Sequence, residues 1–170
     1  MIRAFLFLFV LTIRTFAGEA DWPHVKFSEV RAYAWPNEPD TKAVILEGMA
    51  LKSDVLNPEG AILSAEQART LIRAITGEHR DYPGAMCYVP HNAFVFYDAA
   101  NTPVAFVELC FGCSGHRTSP AGAAGSIDLV ALAAIFDAHK LPMGEYADLA
   151  AYKKHFEKLQ KIMKEFEEAK

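Results

Sequence analysis

The chain has 170 residues, of which 52% are hydrophobic and 22% charged, and its formal net charge is −4. That length is enough to bury a core, and the charge is too weak to define a partner on its own. Basic residues are scattered and form no patch, which argues against nucleic acid as a partner.

Met1-Ile2-Arg3 places one positive charge ahead of the apolar run 4–13. That run is about half of the roughly 20 residues a bilayer span requires, and it fits the apolar region of a secretory signal peptide. Thr15-Phe16-Ala17 offers small residues for cleavage, Gly18-Glu19-Ala20 offers a second option, and Arg14 ends the apolar run sharply. Residues 1–20 are therefore read as a signal peptide, and 21–170 as one domain that is periplasmic or secreted. No cysteine lies near the cut to carry a lipid, and no later stretch is long and apolar enough to span a membrane. No stable membrane insertion is expected after cleavage.

In the mature chain, 25–27 and 30–35 alternate as a half-buried strand does. Pro36-Asn37-Glu38-Pro39-Asp40 reads as a turn. Ala43-Val44-Ile45-Leu46 reads as a second strand running toward Leu51, and 56–60 breaks the chain again. Ser64-Ala65-Glu66-Gln67 is a capping box, followed by Ala68, Leu71, Ile72 and Ile75 at helical spacing and by Gly77 as a stop. The pattern predicts a helix over 65–76. Residues 93–98 and 103–110 are rich in aromatic and β-branched types and predict a hairpin. Asn101 suits the left-handed position in its loop. Residues 119–125 read as a loop. Ser126 then caps an apolar helix over 127–138, which such composition buries.

The last helix is predicted from Glu145 to Glu168, within a C-terminal helical segment 145–170. Leu149, Tyr152, Phe156, Leu159, Met163 and Phe166 alternate spacings of three and four, as in a coiled-coil seam. This stripe either docks on its own domain or supports self-association or a partner helix. The order of elements predicts an α+β fold: an antiparallel sheet of about four strands, helices on one face, and a long amphipathic C-terminal helix.

All three cysteines fall in one window, Cys87-Tyr88-Val89-Pro90-His91 followed by the hairpin and Cys110-Phe111-Gly112-Cys113, with His116 beyond. Pairing Asp98 with Thr102 or Pro103 sets Cys110 opposite residue 90 or 91, and Cys113 opposite residue 87 or 88. Cys87, His91, Cys110 and Cys113 then converge at the open end of the hairpin. Cross-strand neighbours lie about 4.5–5.5 Å apart, within reach of both a disulfide and a shared metal.

Three chemistries fit that cluster. In an oxidising compartment cysteines pair, with Cys87–Cys113 the best cross-strand pair and Cys110–Cys113 the short-loop alternative; either leaves one thiol over. Three thiolates and an imidazole also suit tetrahedral zinc or copper(I), with His116 able to replace His91. A redox-active Cys-x2-Cys is the third, although Ser114-Gly115-His116-Arg117 starts no helix to lower a thiol pKa. Ser114 after the second cysteine excludes c-type haem. Glu108 lies near the cluster, but Asp98 and Glu108 sit toward opposite ends of the hairpin and make a poor catalytic pair. Cys87 with His91 lacks an orienting third group. No catalytic residue is assigned, and a non-enzymatic structural or binding protein is favoured.

The stretch from Met86 to Cys113 carries Cys-aromatic-x-Pro-His, an apolar strand ending in Tyr97-Asp98, Pro103-Val104-Ala105 and Cys-Phe-x-Cys. In this it resembles a group of small exported bacterial proteins of uncharacterised function, with Asn101 where those tend to carry glycine. The resemblance implies that the Cys/His cluster is the defining feature. It implies no activity.

Overall fold

The computed structural model describes residues 22–38, 40–79, 88–122 and 126–168, with the backbone alone at 166 and 167. The predicted signal peptide, its predicted cleavage site and Cys87 lie outside the described residues. The elements are β1 (Glu29–Ala34), β2 (Ala61–Ile62), α1 (Ala65–Thr76), β3 (Asn92–Tyr97), β4 (Pro103–Cys110), β5 (Gly115–Ser119), α2 (Leu129–Ala138) and α3 (Leu149–Glu168). The strands form one antiparallel sheet in the order β2-β1-β3-β4-β5. The fold is α+β, with five strands in place of about four.

The hairpin forms as its alternation demands. Asn92 pairs with Leu109 and Phe94 with Val107, so the register sets His91, just before β3, opposite Cys110. Asp98 Oδ1 accepts the amides of Ala100 and Thr102 at 2.9 Å each, and Asn101 takes φ 59°. The two faces of β3 and β4 meet different partners. Phe94, Phe96, Val107 and Leu109 pack under the helices with Leu71, Leu132 and Phe136. Ala93, Val95 and Phe106 face the other way, with Tyr33, Trp35, Val44 and Ile45. The helices thus cover one face, and the loop through Val44 covers the other.

That loop is where the predicted strand 43–51 differs. Ile45 makes a single bridge to Leu51, and a 3-10 turn at Glu47–Met49 reverses the chain with positive φ at Gly48 and Met49. A run this short cannot hold a place in the sheet once its amides are engaged elsewhere. The second strand comes instead from Ala61–Ile62, admitted by Gly60 at φ 72°, where a Cβ would lie 2.7 Å from the Tyr33 ring.

Helix α1 has both bonds of its capping box, Gln67 N to Ser64 Oγ at 3.2 Å and Ser64 N to Gln67 Oε1 at 2.8 Å. Helix α2 starts later than its sequence suggests, because Asp128 and not Ser126 accepts the Ala131 amide, while Ser126 Oγ donates to His79 O. Helix α3 begins at Leu149, whose amide donates to Asp137 Oδ1 at 2.9 Å, and Ala151 donates to Asp148 Oδ1 at 2.7 Å.

The first half of α3 belongs to the core: Tyr152 is fully buried against Phe111 and Tyr146, with Leu149 and Phe156 packed beside it. Leu159, Ile162 and Met163 continue the helix beyond that core, and Ile162 is 48% exposed. No helix among the described residues is long and apolar enough to cross a membrane.

Candidate functional site

Directly after Cys110 the chain turns. Residues 111–114 form that turn, Ser114 takes φ 54°, and β5 returns along β4 with Cys110 opposite Gly115 and Glu108 opposite Arg117. Residues 115–119 are therefore a fifth strand, which takes Ser119 from the predicted loop 119–125. Cys113 sits in the turn and does not extend β4 toward residue 87 or 88. Its partner is Cys110: the two form a disulfide, with Cα atoms 5.6 Å apart, and both residues are buried. The short-loop pairing replaces Cys87–Cys113, because the reversal brings i and i+3 together at once.

Bonded to each other, these sulfurs offer no thiolate to a metal. Among the described residues no group of three or more His, Cys, Asp or Glu side chains is placed to hold an ion. His116 pairs with Leu109, which belongs to the helix-side core. Alternation along β4 sets Cys110 on the opposite face, so His116 and Cys110 are not neighbours on one surface.

His91 does meet Cys110. Both line a cavity of about 250 Å³ at the end of the sheet where β1 and β4 finish and β3 begins. Asn37 contributes from the turn after β1, and Gly112 and Cys113 from the disulfide turn. Gly144 and Glu145 enter from the link between α2 and α3. His91 is only 8% exposed. Its Nε2 lies 3.1 Å from the Glu38 carbonyl oxygen. A carbonyl only accepts, so Nε2 carries the proton and, in the neutral ring, Nδ1 holds a lone pair.

Nδ1 turns toward Gly144, where an added Cβ would lie 3.4 Å away. The Glu145 carboxylate is placed similarly against Gly112, with Oε1 3.4 Å from a Cβ built there. The two glycines therefore leave open the space that these acceptors border.

Glu108 has a different task. It is completely buried on the loop-covered side of the sheet. Oε1 accepts the amides of Val44 at 2.5 Å and Ile45 at 3.0 Å; Oε2 accepts Arg117 Nε at 2.7 Å and the Tyr88 hydroxyl at 3.2 Å. Arg117 also donates to Ile45 O at 2.6 Å and lies over the Phe106 ring. Hydrogen bonding to Glu108 holds the guanidinium even more firmly protonated than usual. The Tyr88 ring crosses β5 at Gly115, where a Cβ would lie 2.8 Å from the ring. This network ties the 44–52 loop to the sheet edge, and its donors satisfy both carboxylate oxygens. Asp98 is occupied in the hairpin loop, far from it along β4, so no carboxylate pair forms.

Burial first, and then the Glu108 charge, push the Tyr88 hydroxyl far above an ordinary phenol; Tyr97 and Tyr146 are raised too, chiefly by burial. A phenol whose pKa is higher folded than unfolded stabilises the fold below the unfolded value, and that stability is lost as pH rises. Above about pH 10 the unfolded state is favoured increasingly by ionisation. An alkaline titration followed by phenolate absorbance should show these tyrosines ionising together with loss of tertiary structure. Independent ionisation near pH 10 with the fold intact would contradict the burial of these rings.

The chain matches no family model, no curated protein and no solved structure.

The structure brings His91 and Cys110 together, as the hairpin spacing leads one to expect, without bearing on their role. That spacing misses Asn37 and Glu145, which reach the cleft through the packing of distant segments. The sequence holds one local sign of Glu145: Gly144-Glu145 directly follows Leu141-Pro142-Met143, a segment whose Pro142 carbonyl accepts Asn92 Nδ2 at 2.8 Å.

Proposed function

We propose that the mature chain is an exported, non-enzymatic binding domain whose ligand site is the cleft between His91, Glu145 and the Cys110–Cys113 turn. The observation that carries this reading is the nine-tenths-buried His91, held in one tautomer by Glu38 and presenting an unpartnered Nδ1 among the described residues to an open cavity. Such convergence of a few polar groups on a small concavity is the usual form of a ligand site. Export is supported by the charged, apolar and small-residue pattern of residues 1–20. A disulfide at the rim suits an oxidising compartment.

The chemistry of the lining favours binding over turnover. Both sulfurs are tied to each other, and the described lining residues supply no serine, threonine or lysine nucleophile for His91 to activate. Zinc or copper held by Cys87, His91, Cys110 and Cys113 remains the alternative, and it requires a reduced pair. Thiol–disulfide exchange also requires Cys110 and Cys113 to cycle, yet both are buried in a turn with no helix N-terminus to stabilise a thiolate.

The test is a small-molecule screen by amide NMR on protein recovered from the periplasm, with its metal content measured on the same sample. Shifts clustered at Asn37, His91, Gly112 and Glu145 are the expected result, and Gly112→Val should abolish them by filling the cavity. Binding that maps elsewhere, or about one equivalent of zinc or copper, would refute the reading.

A further inference from the structure

The character of the cleft narrows its ligand, on the premise that the cleft is the binding site. We propose that it takes a small protonated amine, bound between the Glu145 carboxylate and the Nδ1 lone pair of His91. Three observations lead there.

The first is charge. Among the described residues that line the cavity, Glu145 has the only formally charged side chain when His91 is neutral, and neither arginine nor lysine is among them. An anionic ligand would meet repulsion and find no counter-ion.

The second is hydrogen-bond polarity. Nε2 of His91 is committed as a donor to Glu38 O, which leaves Nδ1 as an acceptor. The carboxylate also only accepts. An ammonium group, with three donors and no acceptor, complements both at once. A neutral alcohol supplies one donor and no charge.

The third is space. Gly112 and Gly144 keep the room beside each acceptor clear: a Cβ at either position would stand 3.4 Å from Glu145 Oε1 or from His91 Nδ1. Gly144 has φ 62°, a conformation that other residues rarely adopt, so the backbone itself favours glycine there. At about 250 Å³ the cavity is smaller than a typical drug-sized site, which suits a short aliphatic amine. The disulfide and Val89 supply less polar wall for its carbon chain.

Three probes of nearly equal length and shape test the charge directly: 1,4-diaminobutane, 1,4-butanediol and succinate. Each is titrated into the oxidised, full mature protein at neutral pH and followed by amide NMR. The diamine is expected to shift the amides of Asn37, His91, Gly112 and Glu145 in a saturable way, with the diol and succinate at least tenfold weaker. Glu145→Gln, at an exposed position on the rim, should weaken the diamine at least tenfold and leave the rest of the spectrum unchanged. If the diol or succinate binds the cleft as tightly as the diamine, the cleft is a binding site and the amine assignment is wrong. If none of the three shifts the cleft amides, the amine assignment fails, and a broader screen decides the binding reading separately. Unchanged diamine affinity in Glu145→Gln also overturns the proposal.

Discussion

Glu108→Ala is expected to destabilise the protein by about 2–6 kcal/mol, chiefly the cost of leaving two buried amide donors without an acceptor. The carboxylate it removes is fully buried and accepts four separate donors: the Val44 and Ile45 amides, Arg117 Nε and the Tyr88 hydroxyl. The two amides have no other acceptor among the described residues, and a buried N–H left unmade costs about 1–3 kcal/mol. Arg117 is less affected, because its side chain is 45% exposed and can regain water. Most of the loss therefore comes from the loop, not from the ion pair as such.

That distribution gives the prediction an internal control. Glu108→Gln keeps an oxygen for Val44 and Ile45 but presents an amide to the Arg117 donors, so it should lose less than Glu108→Ala. Arg117→Ala leaves the fully buried Glu108 carboxylate without its counter-ion, so it should lose more than Glu108→Gln. Denaturant midpoints of the three variants, with slopes compared, measure the order. Equal stability of Glu108→Ala and the unaltered protein would mean that the 44–52 loop holds to the sheet by apolar contact alone.

The same network explains which parts of the fold were legible in the sequence. Local signals were sufficient where the structure uses local partners. Ser64 and Gln67 cap α1 within one turn, and Asn101 closes a hairpin whose strands alternate on their own account. Gly115-His116-Arg117-Thr118-Ser119 shows no apolar alternation, and it forms β5 because β4 offers a free edge and Glu108 a counter-ion. Conversely, Val44-Ile45 has strand composition, yet its amides are taken by Glu108. In both places a buried charge, invisible to periodicity, decides the backbone's fate. The site divides in the same way. His91 and Cys110 follow from hairpin register, whereas Glu145 depends on how α2 and α3 pack and on the Asn92 amide holding Pro142 O.

Reduction of the Cys110–Cys113 bond is expected to lower stability by about 2 kcal/mol, the chain-entropy estimate for so short a loop. For a domain of this size that is a fall in Tm of roughly 4–8 °C. The bond's modest energetic weight follows from its span of three residues, since a short loop has little freedom to lose when unfolded. A Cys87–Cys113 bond would enclose a much longer loop and contribute about 3.5 kcal/mol by the same estimate. Calorimetry with and without a non-thiol reductant separates the two sizes, and the Cys110→Ser/Cys113→Ser double variant should reproduce the reduced value.

Chemistry identifies the pair independently of energy. Alkylation of the unfolded, unreduced protein should label Cys87 alone, and intact mass should show the loss of two hydrogens. Labelling at Cys110 would place the bond elsewhere. The structural consequence of reduction is local to the turn that walls the cleft. Diamine binding should therefore weaken on reduction even while the sheet persists, because Gly112 and Cys113 would no longer be held against Glu145 and His91. A reduced protein that binds with unchanged affinity would show that the turn is shaped by its β4–β5 pairing and not by the sulfur bond.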